Sequence, residues 1–287
     1  DLYIAYNMHW EDHTFALPSP GKGKRWRKIF STTDREGFLG EESVICQERK
    51  AMIEARSVAV FTGETYETPK RNNLSISACQ LKWIGLITML IDHVGLILFP
   101  QFWFLDIIGR ISFPIFAFTT AVGFMYTRNV PRYGLRLFAC AVISEPFFDL
   151  ALFGTPFYLG RQNVLFTLAL GVLMLYLWLC FDNLVFQCLS LLMVLLAAEM
   201  FRVDYSSMGL LMILFFYCFY NENLKRDLTV AAVNVLLMGR SQMFAVLALI
   251  PIHLYQGEKG RDMKVVFYLF YPLHLVILAV IRLIIVQ

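Results

Sequence analysis

From Leu81 to its last residue the chain is a succession of apolar runs, each near the length that crosses a bilayer. A stretch such as "LKWIGLITMLIDHVGLILFP", Leu81 to Pro100, leaves no polar face for a soluble helix to present. Hydrocarbon offers no partner for a backbone N–H or C=O, so runs of this kind cross membranes as helices. The pattern predicts helices near 81–99, 104–126, 133–153, 163–181, 184–201, 207–220, 228–239, 242–256 and 264–286. The seventh and eighth are short, and together they also read as one long helix kinked at Gly239. The expected fold is therefore an all-α polytopic membrane protein of about 8–9 transmembrane helices, with a small N-terminal β-rich soluble segment. Composition agrees: 58% of the 287 residues are hydrophobic and 16% charged, where soluble domains have about 45–50% and 25%.

Basic residues alternate between the two sides of these runs. With the Lys70, Arg71 and Lys82 side cytoplasmic, nine spans also place Arg128, Arg132, Arg136, Lys225, Arg226, Lys259, Arg261 and Lys264 inside. Eight spans would put the last cluster outside, so nine fits better. A net charge of +3 is too small to argue for nucleic acid. The six cysteines show no paired ligand spacing, and they read as small apolar residues rather than disulfides or metal ligands.

Residues 1 to about 75 follow a different grammar. "DLYIAYNMHW" and "ARSVAVFTG" are short runs rich in Tyr, Val, Ile and Phe, bounded by turn formers. Two to four strands are expected, with a thin core. His9, Trp10, Glu11 and His13 read as strand-packing residues rather than a sugar or metal site. "AYNMHWEDHTFALPSPGKGKRWRKIFSTTD" followed by "ARSVAVF" resembles the C-terminal β-domain of glycogen-debranching and isoamylase-type enzymes over residues 1–63. The resemblance covers only the end of that domain and none of its catalytic barrel, so no glycosidase activity follows. It implies a chain that starts inside the domain, as in a truncated fusion or a gene fragment. Residues 64–80 read as a polar linker and 81–287 as the membrane domain.

Within the spans the titratable residues are few. Asp92, His93, Arg110, Glu145, Asp149, Glu199, His253 and His274 stand out, and such groups are functional candidates by default. At about 1.5 Å of rise per residue, His93 lies about 16 Å in from Lys82 and His274 about 15 Å in from Lys264. Glu145 and Arg110 fall at nearby or greater depth, so the four could form one polar site. Neighbours on a helix point about 100° apart, so Asp92 is expected to pair with a cation from another span, Arg110 first, leaving His93 free as a base. In "GRISFPIFAF", Pro114 frees a backbone carbonyl and invites a kink. Tyr271 and His274, three residues apart, share a helix face.

"LKWIGLITMLIDHVG", "IGRISFPIFAF", "NVLFTLALG" and "FYLFYPLHLVIL" closely resemble the TraX family, membrane proteins linked to N-terminal acetylation of conjugative pilin. The likeness runs from Leu81 to the C-terminus in motif order. TraX proteins are in turn similar to the membrane acyltransferase-3 superfamily, whose basic-x10-His motif matches Lys82 and His93 and whose final-span pattern matches Tyr268, Tyr271 and His274. The resemblance implies acyl transfer from acetyl-CoA, with no metal, in a bacterial inner (cytoplasmic) membrane and with the N-terminal segment cytoplasmic. It casts His93 as general base on an amine or hydroxyl of a peptide, glycan or small molecule. Arg110 would meet the oxyanion or the donor phosphates, with Asp92, Glu145 and His274 in the same site. Lys82, Arg128, Arg132 and Tyr271 are the candidate donor-binding residues, although no Gly-rich phosphate cradle is present. The rival reading is a multi-span transporter with a midplane polar path through Asp92, Glu145 and the two histidines.

Overall fold

A computed structural model of the chain describes residues 1–18, 24–34, 37, 45–46, 50–65, 75–237 and 240–286. The chain divides into two compact units, Asp1–Leu74 and Ser75–Gln287.

The first unit is antiparallel β. Strands β1 (Leu2–Asn7), β2 (His13–Ala16), β3 (Lys24–Ser31), β4 (Ile45–Cys46), β5 (Lys50–Ile53) and β6 (Ser57–Thr65) form two sheets, ordered β1-β6-β3-β4 and β2-β5. The two quoted runs become β1 and β6, paired from Leu2–Thr62 to Asn7–Ser57. Alternation buries Ala5, Ala59 and Phe61 on one face, against Trp26, Leu17 and Ile53. The strand number exceeds the expected two to four, because β3 carries alternating apolar residues within a basic run and pairs along most of β6. His9, Trp10 and Glu11 do not pack between strands. They lie in the turn after β1, where Trp10 is 70% exposed and stacks on the His9 ring.

The second unit is helical, with α1 (Ala78–Leu98), α2 (Trp103–Gly109), α3 (Ser112–Tyr126), α4 (Val130–Phe153), α5 (Val164–Cys180), α6 (Leu184–Met200), α7 (Ser206–Cys218), α8 (Asn223–Ala232), α9 (Leu249–His253) and α10 (Lys264–Val286). A π turn, Val233–Leu237, continues α8, and a 3-10 segment, Arg240–Ala248, leads into α9. The expected break at Gly239 lies outside the described residues, as do Pro69, Lys70 and Arg71 of the expected linker. Among the described residues three stretches are long and apolar enough to cross a membrane: Ala78–Leu98, Trp103–Tyr126 and Lys264–Ile285. The shorter apolar helices are Val164–Cys180, Leu184–Met200, Ser206–Cys218 and Gln242–His253.

Local chemistry sets the helix ends. Ser77 and Gln80 form a capping box that starts α1, and Asn129, Asn163 and Asn183 cap α4, α5 and α6 through their side-chain oxygens. Gly154, with φ +78°, closes α4 in the left-handed conformation that glycine adopts without strain. The run expected as one helix over 104–126 is broken between α2 and α3 at Arg110–Ile111. Pro114 explains the position: its ring crowds the carbonyl four residues back, which is that of Arg110.

Short connections make successive helices antiparallel, so the bundle has two ends. One end carries the start of α1, the turns at 127–129, 181–183 and 219–222, and the loop before α10, whose Glu258 carbonyl accepts from Ala78 N–H at 2.7 Å. The other carries 99–102, 154–163 and 201–205, where Asp204 N–H donates to the Gln162 carbonyl at 3.0 Å. Helix α10 runs parallel to α1 and α4 and packs against both.

Candidate active site

The parallel course of α1 and α10 brings two histidines into contact. His93 Nδ1 and His274 Nε2 are 2.8 Å apart, with rings stacked at 5.1 Å between centroids and 3° between planes. Both are buried, at 8% and 5% exposure. The third partner decides the proton positions. His274 Nδ1 lies 2.9 Å from the Phe270 carbonyl, which can only accept, so His274 carries its proton on Nδ1. In the neutral ring its Nε2 then holds a lone pair, and His93 Nδ1–H must be the donor to it. His93 is left with a free lone pair on Nε2. The dyad thus presents one basic nitrogen whose far side is anchored through two hydrogen bonds to the backbone of α10.

Tyr271, one turn before His274 and buried, stands edge-on to that ring at 5.4 Å. Its hydroxyl lies beside the Val164 N–H at the start of α5 without making a hydrogen bond. Glu145 meets the same helix start: its Oε2 accepts from Asn163 N–H at 3.1 Å and from Asn163 Nδ2, which also donates to the Ala141 carbonyl at 2.9 Å. Glu145 therefore fastens α4 to the N-terminus of α5, while its Oε1 is buried without a partner.

Asp92 points away from His93, as successive helical residues must, and packs flat against the backbone of Gly109. A Cβ on Gly109 would overlap the Asp92 carboxylate, so glycine is required there. The expected Asp92–Arg110 hydrogen bond does not form. Arg110 pairs instead with Asp106, one turn back on α2, and Asp92 Oδ1 is a buried acceptor without a donor. An i,i+4 partner on the same helix lies within easy reach, whereas Asp92 would have to leave the Gly109 notch to compete.

Around Asp92 stand charges from the α2 segment, Arg110 and Asp106, and from loops, Asp204 and Arg161. Arg110, Asp106, Asp204 and Arg161 all act on Asp92, and Arg161 also acts on His93. Arg161 Nε and Nη2 both reach Asp204 Oδ1, at 3.1 and 2.6 Å. The loop before α7 that carries Asp204 holds Arg202, Tyr205 and Ser206 at positive φ (52°, 62° and 49°), a strained path that presents Tyr205 face to face with Phe113. A cavity of about 490 Å³ opens here, lined by Arg161, Arg202, Val203, Asp204, Tyr205 and Gln242 among others. Burial raises the Tyr205 phenol above its usual range and keeps it neutral.

The candidate donor-binding residues do not gather in one place. Lys82 sits over the Phe267 ring at 5.6 Å, Arg128 and Arg132 are exposed at the basic end of the bundle, and Tyr271 is buried beside the dyad. At the same end, Lys259 and Lys264 hold the exposed Asp262 carboxyl at about 2. In the β unit, His9, Glu11 and His13 each bring one ligand atom to within 4.8 Å of the others, although the backbone N–H of Glu11 already donates to His9 Nδ1.

Residues 77–282 match the family described as TraX protein. The chain belongs to the TraX family. It is also 29% identical, over 238 residues, to the "Probable fimbrial assembly protein FimC, serogroup H1" of Dichelobacter nodosus, a match covering 72% of this chain and 96% of that relative. No solved structure matches the chain. The family match takes in the dyad, the Gly109–Arg110 break and the cavity, and it excludes the β unit. In this TraX chain the residues missed from sequence are Arg161, Asp204 and Tyr205, whereas Gln242 stands out in the sequence as a polar residue near a span end. Those three lie at helix ends rather than mid-span, so a search by depth passed over them.

Proposed function

We propose that the protein is an integral membrane acyltransferase that moves an acetyl group from acetyl-CoA to an amine or hydroxyl acceptor. The observation that carries this reading is the free Nε2 lone pair of His93, held in place by the His274–Phe270 relay. His93 Nε2 takes the proton of the acceptor N–H or O–H as that atom attacks the thioester carbonyl carbon. The imidazolium formed is stabilised by its Nδ1–H bond to His274. Collapse of the tetrahedral species breaks the C–S bond, and His93 returns its proton to the leaving thiolate. The relative concerned with fimbrial assembly supports the amino terminus of a fimbrial or pilin subunit as acceptor.

Nine crossings in a bacterial inner membrane are the topology we infer. They put Lys82, Arg128, Arg132, Lys259 and Lys264 at one end, the cytoplasmic one by the positive-inside rule. That end would attract a polyanionic thioester. The β unit, which lies outside the matched residues and forms its own compact unit, is inferred to have no share in the chemistry. The test is release of free thiol from acetyl-CoA by purified protein in nanodiscs. Wild type should turn over and His93→Ala should not; equal rates from the two would sink the reading, and neither transport nor binding alone would produce the difference.

A further inference from the structure

We propose that His9, Glu11 and His13 form a zinc site on the β unit, one that takes no part in acyl transfer. Each residue offers one ligand atom, and the three atoms lie within 4.8 Å of one another. Ligand atoms held at about 2.0–2.2 Å from one zinc ion stand roughly 3–4 Å apart. Small rotations of side chains that reach solvent close that difference. The two imidazoles already meet edge to face, 4.7 Å between centroids. Among the described residues, the Glu11 carboxylate and the His13 ring have no hydrogen-bond or ion-pair partner, so an ion displaces only water from them. His9 differs. Its Nδ1 accepts from the Glu11 N–H across a long, exposed 3.2 Å, which keeps the lone pair of the neutral ring on Nδ1 and its proton on Nε2. Nδ1 is therefore the ligand atom, unprotonated and turned toward Glu11. Zinc takes that lone pair and the Glu11 N–H goes over to water.

The turn that carries the ligands is held by other residues. Asn7, 2% exposed, accepts from the His9 N–H at 3.1 Å and donates to the carbonyls of Glu11, Ile53 and Glu54 at 2.8, 2.9 and 3.0 Å. The Arg56 N–H donates to the His9 carbonyl at 2.9 Å. Asp12, the other carboxylate of the turn, accepts from the Ala55 N–H at 2.8 Å and is not free to ligate. Trp10 stacks on the His9 ring at 4.3 Å and limits its rotation. The backbone is thus fastened to the turn before β6, and binding an ion orders side chains alone. Two imidazoles and one carboxylate are the donor set of a three-ligand zinc site whose remaining position takes water. Calcium, which needs about six to eight oxygens, finds one carboxylate here.

The test uses full-length, tag-free protein in nanodiscs, titrated with zinc chloride in a calorimeter. Wild type should take up one zinc ion per chain at this site and give no binding heat with calcium chloride. His9→Phe, which keeps the stack on Trp10, Glu11→Gln and His13→Gln should each weaken zinc binding by at least about tenfold. His253→Gln removes the exposed histidine of the helical unit and should bind as wild type does. Cobalt in place of zinc should give a visible ligand-field band that His13→Gln loses. The Glu11 and His13 side chains make no bonds, so their variants should keep the circular dichroism of wild type. No zinc uptake by wild type would overturn the proposal. So would equal uptake by wild type and the Glu11→Gln/His13→Gln double variant, which would mean adventitious surface binding, or loss of uptake in His253→Gln, which would give the ion to the helical unit. The readout is metal uptake, so the outcome stands whether or not the protein cleaves acetyl-CoA.

Discussion

Replacing His274 separates a base that works alone from one that depends on its relay. In the His274→Phe protein, His93 Nδ1–H loses the acceptor now 2.8 Å away, and burial leaves it no water to turn to. A buried donor left unmet costs about 1–3 kcal/mol. The larger effect comes at the transition state, where His93 becomes an imidazolium and the bond to His274 becomes charge-assisted, worth about 1.5–3 kcal/mol. At about 1.36 kcal/mol per decade, kcat should fall by roughly ten- to a hundredfold. His93→Ala removes the base itself and should cost about 10²–10⁴-fold. His274→Gln can accept from His93 and donate to the Phe270 carbonyl, so it should recover part of the rate with little change in KM.

Thiol release from acetyl-CoA in nanodiscs gives the rates. Nitrogen-15 spectra of histidine-labelled protein give a reading independent of activity, because both rings should carry their proton on Nδ1. His274→Phe turning over as fast as wild type, in a protein where His93→Ala is dead, would refute the relay. So would spectra placing the His93 proton on Nε2, since the lone pair would then face away from any acceptor.

Further outcomes follow from the same contacts. Gly109→Ala drives a methyl into the Asp92 carboxylate and should cost about 1–3 kcal/mol, read as a lower unfolding temperature in detergent; an unchanged midpoint would mean the notch is not as tight as drawn. Asn163→Ala removes the α5 cap and the Nδ2 donor to Glu145, leaving that carboxylate only the backbone N–H of residue 163, which should destabilise the bundle by about 1 kcal/mol for the cap and more for the weakened hold on the carboxylate. Glu145→Gln in the same background should return part of the loss. Removal of residues 1–74 should leave membrane insertion and thioester turnover intact, because that segment forms its own compact unit; loss of turnover in an inserted, folded truncation would give the β unit a role it is denied here.

Height within the bundle was legible in the sequence, and azimuth was not. A helix rises by a constant amount per residue, so counting from Lys82 and Lys264 placed His93 and His274 at one level. The parallel course of α1 and α10 turned equal level into contact. Counting says nothing about which way a side chain faces across the bundle, and there the Asp92–Arg110 pairing went astray. The correct partner was visible as an i,i+4 spacing, Asp106 to Arg110, ahead of the proline whose ring breaks the helix at Arg110. A within-helix pair close at hand outranks a partner on another span.

The cavity residues were passed over for a different reason. The loop cations at the cavity's end of the bundle were read as topology signals alone, while those at the basic end, Arg128 and Arg132 among them, were also candidates for donor binding and are exposed. The opposite end carries few cations, and positive-inside bias gives no cause for any of them. Each described one must then answer to something local. Arg161 grips Asp204 through two nitrogens, and Arg282 near the end of α10 donates to the Ala151 carbonyl at 2.7 Å. Arg202, by contrast, has no ion-pair partner among the described residues, and its strained backbone holds it at the wall of the cavity. On the sparsely charged side of a membrane protein a lone arginine is thus better evidence of a site than any cluster on the crowded side. Arg202→Gln should therefore slow thioester turnover while leaving orientation in the membrane, read by protease protection, unchanged; an inverted or mixed orientation would show that this cation, too, was only a topology signal.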